Sequence, residues 1–233
     1  MKLEKRTKSD ESNRKRWYND ACGTAFALDL IGERWSILIL RELMFGPRRF
    51  SELRAGLPDI SANILTQRLE RLEANRILTK RKLPSPALVQ VYELTEWGYE
   101  AEPLVQMLGR WATRHPEHDP SLPLSAASIM MSFRTMIDAE RAGEMDARFG
   151  FRLGDDSFVA HVRDGDIAVE RGDPDTADVR VAGAPTMLAA VVYGGEALGD
   201  LETNGLLTVD GDRALFERFV TLFVLPDKLS EQG

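Results

Sequence analysis

Phe50-Ser51-Glu52-Leu53-Arg54-Ala55-Gly56-Leu57-Pro58-Asp59-Ile60-Ser61-Ala62-Asn63-Ile64-Leu65-Thr66-Gln67-Arg68-Leu69-Glu70-Arg71-Leu72 carries two helix signals separated by a turn. The first helix, residues 50–55, stops at Gly56, and Leu57-Pro58-Asp59-Ile60 turns the chain. Ser61 then caps a second helix over residues 62–75. Setting Leu65 at 0° and stepping about 100° per residue puts Leu69 and Leu72 within about 40° of it. Asn63, Gln67, Glu70 and Arg71 fall on the opposite face, with Thr66 at its edge. Amide, hydroxyl and guanidinium groups are the ones that read base edges: Asn and Gln pair with adenine, Arg with guanine. The same residue types also suit an ordinary surface helix.

The neighbouring residues favour the first reading. Thr79-Lys80-Arg81-Lys82-Leu83 places three cations on an expected strand, Pro84-Ser85-Pro86-Ala87 forms a rigid tip, and Leu88-Val89-Gln90-Val91-Tyr92-Glu93-Leu94 alternates like a half-buried return strand. A basic hairpin behind a reading helix is placed to meet phosphates. The expected DNA contacts are Ser61, Asn63, Thr66, Gln67, Arg68 and Arg71 on the helix, Lys80, Arg81 and Lys82 on the hairpin, and Arg48 and Arg49 before the motif.

Around this motif, residues 24–43 read as helix with a break near Gly32, and residues 96–114 as a long helix in which Pro103 marks a kink or a late start. Charge divides the chain. Residues 1–115 hold 20 Lys+Arg against 15 Asp+Glu, a net of +5, and residues 116–233 hold 10 against 22, a net of -12. A basic half joined to an acidic half implies two domains, the DNA-facing surface lying on the first. The linker His115-Pro116-Glu117-His118-Asp119-Pro120 is read as polar connection rather than a metal site, because its prolines break the helix that would align both imidazoles.

The second half starts with a methionine-rich helix over residues 125–142. Strands follow at 148–153, 157–163, 166–170 and 177–182, then a helix at 185–193, a strand at 205–209 and a closing helix at 213–223. This reads as a meander flanked by helices, an α+β layer fold. It carries no catalytic constellation, so no enzyme and no cofactor are expected. Met130, Phe133, Phe151, Phe158, Met187, Val191, Phe216 and Phe219 are the candidates to line an apolar pocket, or else to form plain core.

No stretch approaches the roughly 20 apolar residues of a membrane span. Met1-Lys2-Leu3-Glu4-Lys5-Arg6 lacks a signal-peptide core, and the single Cys22 excludes an internal disulfide framework. A reducing cytoplasm is expected.

Cys22, Leu28-Asp29-Leu30-Ile31-Gly32, Arg34-Trp35, Leu38-Ile39-Leu40-Arg41-Glu42-Leu43, Gly46-Pro47-Arg48-Arg49-Phe50-Ser51-Glu52-Leu53, Leu65-Thr66-Gln67-Arg68-Leu69 and Tyr92-Glu93-Leu94-Thr95-Glu96-Trp97-Gly98 together resemble the HxlR-type winged-helix transcriptional regulators. The resemblance implies a homodimer, paired through the helix carrying Trp97 and Trp111 and the N-terminal helix, on an inverted-repeat operator in double-stranded DNA. It also implies that Cys22 stands where some members sense oxidants. No neighbouring pattern lowers its pKa, and a buried, inert thiol is the favoured reading.

Ala177-Asp178-Val179-Arg180-Val181-Ala182-Gly183-Ala184-Pro185 and Gly205-Leu206-Leu207-Thr208-Val209-Asp210-Gly211-Asp212 resemble a sterol-carrier-protein-type lipid-binding domain, which implies an apolar effector. The fold expected is therefore α+β: a flexible basic arm (1–20), an N-terminal winged helix-turn-helix domain (21–115), a linker (116–124) and a sterol-carrier-like sheet-and-helix domain (125–227). The function expected is a one-component transcriptional repressor. A lipid-binding carrier or interaction module, and a redox-responsive regulator acting through Cys22, are the alternatives.

Overall fold

The computed structural model describes residues 18–84 and 89–230. The expected arm falls outside them as far as residue 17, as do Ser85, Pro86 and Ala87 of the expected hairpin tip. Helices α1 (Gly23–Ile31) and α2 (Ser36–Leu43) break at Gly32. Trp35 re-aims the chain into α2 at φ 81°, a left-handed conformation that strains a bulky residue. Helices α3 (Phe50–Gly56) and α4 (Ala62–Ala74) form the helix-turn-helix, with Ser61 Oγ accepting from the Ile64 N–H at 3.3 Å.

Strands β1 (Leu78–Lys82) and β2 (Gln90–Leu94) pair antiparallel with Lys80 opposite Tyr92, and Arg48 bridges to Tyr92 from the other side. The expected single helix over residues 96–114 is two, α5 (Glu96–Tyr99) and α6 (Glu102–Ala112). Pro103 lacks an N–H and sits in the first turn of α6, where none is required.

The second half opens with α7 (Ala126–Met136) and the short α8 (Ala139–Ala142), in place of one continuous helix. Strands β3 (Ala147–Leu153), β4 (Asp156–Arg163) and β5 (Asp166–Arg171) are a meander. The meander does not continue. Strand β6 (Val179–Gly183) crosses to the far side of β3 and runs parallel to it, and β7 (Leu207–Gly211) pairs antiparallel outside β6, giving the order β5-β4-β3-β6-β7. Helices α9 (Pro185–Tyr193), α10 (Leu198–Thr203) and α11 (Arg213–Val220) complete the domain. Alternation along β3 buries Phe149, Phe151 and Leu153 under the α-helices and turns Arg148 and Arg152 to the other face, where the short 3-10 helix Pro174–Thr176 covers Gly150. Helix α7 packs on β5, and α11 on β6 and β7.

The expected pocket-lining set is corrected by this packing. Met130, Phe133, Phe151, Phe158, Phe216 and Phe219 are fully buried, Val191 is buried and Met187 half-buried. The rings meet one another: Phe133 and Phe219 edge to face at 5.3 Å, Phe149 and Phe219 at 4.2 Å, Phe216 and Phe219 at 6.0 Å. Large rings reaching across one thin layer fill it, so they are core.

The two halves share one continuous apolar core. Phe45 meets Phe158 edge to face at 5.5 Å across the junction, and Arg134 stacks 4.7 Å over Phe45 while binding Glu102 at 2.7 Å. Buried Glu42 accepts from the Ser125 hydroxyl at 2.7 Å. Asp156 receives Arg48 through two bonds (2.5 and 3.2 Å) and Arg171 at 2.6 Å. Burial alone would raise the Asp156 carboxyl, but the hydrogen bond from Arg48 and the two guanidinium charges hold it below the usual carboxylate range.

Asp156→Asn leaves two largely buried cations without a counter-charge. It should cost about 2–4 kcal/mol in denaturant unfolding monitored by circular dichroism. The depressed carboxyl stabilises the junction fully above the unfolded-state value, about 3.9. Its contribution disappears as pH falls through the folded value, so the gap between wild type and Asp156→Asn should close in strong acid.

Candidate nucleic-acid interface

Helix α4 docks through Leu65, Leu69 and Leu72, all fully buried. Ser61, Asn63, Thr66 and Gln67 stand exposed along its outer side. The Thr66 hydroxyl donates to the Ala62 carbonyl at 2.9 Å, which leaves its oxygen and methyl outward. These four residues form a short row of donors and acceptors near the helix start, the part of a recognition helix that meets base edges.

Arg68 and Arg71 do not join that row. Arg71 donates to the Asp29 carbonyl at 3.0 Å and approaches Glu33 at 3.7 Å. Arg68 donates to the Arg34 carbonyl at 2.9 Å and pairs with Glu33. Asn75 reaches the Leu30 carbonyl at 3.4 Å. The exposed carbonyls at the C-terminal end of α1 attract cations. Two arginines of α4 therefore staple it to α1 and to the strained turn at Trp35, and the expectations of base contact for Arg71 and of DNA contact for Arg68 are corrected. A helical wheel ranks residues by direction from the leucine stripe, and it cannot show that α1 ends beside the Arg71 flank.

Arg48 is also corrected. Its side chain is 10% exposed and bound to Asp156, and its backbone exchanges hydrogen bonds of 2.9 and 2.8 Å with Tyr92. A phosphate could not reach it without breaking the junction. Arg49 points the other way and stays half exposed; its backbone N–H donates to Glu52 at 2.7 Å in a capping box on α3.

On the wing, Lys80, Arg81 and Lys82 are exposed. Lys80 sits 5.5 Å over the Tyr92 ring and 3.7 Å from Glu73, and Arg81 pairs diagonally with Glu93. The pair raises the Arg81 pKa, its hydrogen bond to Glu93 being the main cause. Among the described residues Lys82 has no ion-pair partner.

Cys22 is exposed, which corrects the expectation of a buried thiol. It occupies the N-cap of α1 without making a side-chain capping bond, and the nearby N–H groups of Ala25 and then Thr24, with the Thr24 hydroxyl, lower its pKa. The capping position was hidden in the sequence, where Cys is not a recognised cap residue. Among the described residues no group of three or more His, Cys, Asp or Glu side chains is arranged to hold a metal, and no helix is long and apolar enough to cross a membrane.

The family model described as HxlR-like helix-turn-helix matches residues 30–120. The HTH-type transcriptional regulator YodB of Bacillus subtilis is 38% identical over 91 residues, covering 39% of this chain and 81% of YodB. The uncharacterized HTH-type transcriptional regulator YvaP of the same organism is 34% identical over 87 residues, covering 37% of this chain and 81% of its own. The solved reduced form of YodB is 36% identical, covers 43% of this chain and 100% of that one, and superposes with a TM-score of 0.38. Over residues 121–229 the matching family model is described as alkyl sulfatase C-terminal.

Gln67→Ala should weaken operator binding by about 1–3 kcal/mol and relax base preference. Arg71→Ala should instead lower thermal stability while the folded fraction keeps its preference. Selection from a randomised duplex pool with each variant separates these outcomes.

Proposed function

We propose that this chain, which belongs to the HxlR-like helix-turn-helix family, is a one-component transcriptional repressor that binds an inverted-repeat operator as a homodimer in the cytoplasm. The observation that carries the reading is the face of α4: three leucines inside, with Ser61, Asn63, Thr66 and Gln67 outside, next to a cationic wing. Lys80, Arg81, Lys82 and Arg49 take the phosphates, and Asn63, Thr66 and Gln67 take the bases. The narrower set follows from the internal use of Arg48, Arg68 and Arg71.

The dimer is supported by α6. None of its residues is buried, although it carries Leu104, Met107, Leu108 and Trp111, with Met107 70% and Trp111 74% exposed. Trp97 and Leu104 share an apolar groove beside it with Ala27, Leu30 and Ile31 of α1. An exposed apolar surface of this kind marks an interaction site. The second domain, read as sterol-carrier-like, senses an apolar molecule and shifts the spacing of the two α4 helices. That requires the ligand to bind the two dimer geometries with different affinity.

A second reading rests on Cys22. An exposed thiol with a lowered pKa at a helix start holds more thiolate at neutral pH than an ordinary cysteine, and thiolate is the form that oxidants attack.

A mobility-shift assay on the chain's own upstream DNA tests the main reading, and absence of a shift at moderate salt would overturn it. Neutralising Lys80, Arg81 and Lys82 together should flatten the slope of log affinity against log salt by about 2.7 for each wing that meets the duplex; an unchanged slope removes the wing from the interface. For the second reading, Cys22→Ser should retain DNA binding and lose any release by diamide, whereas release that persists in Cys22→Ser excludes it.

A further inference from the structure

A pocket of about 250 Å³ lies where the segment following α6 crosses the second domain. Thr113, Leu122, Met136, Ala189, Tyr193 and Leu225 line it, so α6, the linker, α7, α9 and the C-terminal tail all contribute walls. The tail is tied down there. Lys228 Nζ donates to the carbonyls of His115 and His118 at 3.0 and 3.1 Å, and the Leu229 N–H to that of Arg114 at 2.8 Å.

The hydroxyl groups of this pocket have a definite polarity. The Ser132 hydroxyl, also in the wall, donates its one proton to the Ile129 carbonyl at 2.8 Å. Tyr193, 3.0 Å away, must therefore donate to Ser132 Oγ. Thr113 likewise gives its proton to the Arg110 carbonyl at 2.9 Å. All three hydroxyls have spent their protons and present acceptor oxygens. Burial pushes the Tyr193 phenol well above its usual range, so it stays neutral. Burial, with help from Lys228, lowers His118, whose imidazole is uncharged at neutral pH and keeps one N–H donor beside one acceptor nitrogen. The Asp119 carboxylate accepts from the Ser121 N–H and hydroxyl at 2.9 and 2.6 Å, and it too offers only acceptors.

We propose that this pocket binds a small apolar molecule carrying a hydroxyl donor, of the phenol or aromatic-alcohol type, with that donor bonded to the Tyr193 oxygen. The hydrocarbon part lies on Leu122, Met136, Ala189 and Leu225. The consequence for DNA rests on the regulator reading above: Thr113 ends α6, the helix proposed to pair the subunits, so a ligand wedged beneath it bears on dimer geometry.

Fluorescence titration of the full chain with 1-naphthol and with 1-methoxynaphthalene, which has the same rings but no donor, tests the site. Wild type should bind 1-naphthol about tenfold more tightly, the worth of one sheltered hydrogen bond. Tyr193→Phe should erase that preference. Ala189→Leu should fill the pocket and weaken both probes at least about tenfold. Leu122→Asp, a surface change that spares folding, should weaken both probes as well. Equal binding of the two probes by wild type, a preference that survives Tyr193→Phe, or no binding of either probe would overturn the proposal. DNA binding is measured on the same preparations. DNA shifted without naphthol bound rejects the pocket and keeps the regulator; naphthol bound without DNA shifted does the reverse.

Discussion

One carboxylate between two guanidiniums organises this molecule. Asp156 opens β4 in the second domain, Arg171 closes β5 beside it, and Arg48 arrives from the chain just ahead of α3. Desolvating three charges is expensive, and the site offsets the cost only through short bonds and the shelter of Phe45 and Phe158. Arg171 also stacks 4.5 Å over the Phe158 ring, and its burial and the nearby Arg48 charge lower its pKa. The backbone of Arg48 meanwhile hydrogen-bonds Tyr92 in the wing. A single residue thus ties the wing, the helix-turn-helix and the sheet into one corner.

A second set of arginines orients α4 from the opposite end. Arg68 and Arg71 spend their donors on carbonyls at the close of α1 and on Glu33, which steadies the left-handed turn at Trp35. Cations in the basic half therefore divide into those that build the reading head and those left outside it. The acidic half is likewise less free than its net charge suggests, since Asp175, Asp210 and Glu202 pair with Arg152, Arg180 and Arg213. Net charge locates the DNA-facing half but overstates the number of charges available to act at a distance.

The joint between the halves is where ligand and DNA could communicate. Helix α6 leaves its apolar side uncovered along the first domain, and Thr113, which caps its C-terminus, forms part of the pocket wall in the second. The segment from 116 to 124, which reads as a spacer, is instead held by Lys228 and packed against α7 and α9. A shared core makes small displacements at one site costly to absorb locally, which favours their transmission.

Local pattern sufficed for much of this. The leucine spacing of α4, the Ser61 cap, the glycine at residue 32, the wing strands and most strands of the second sheet follow from periodicity and turn chemistry, which act over a few residues. The exposed row Asn63, Thr66 and Gln67 follows from the same periodicity. Helix α10 escaped because six residues are too few to show a period, and the crossover of β6 because strand order depends on contacts distant in sequence. Which arginines are free, whether Cys22 is exposed, and where an apolar ligand could sit were decided only by tertiary structure. A guanidinium goes to whichever carbonyl or carboxylate the fold brings within about 3 Å, and for Arg48 that partner lies 108 residues away.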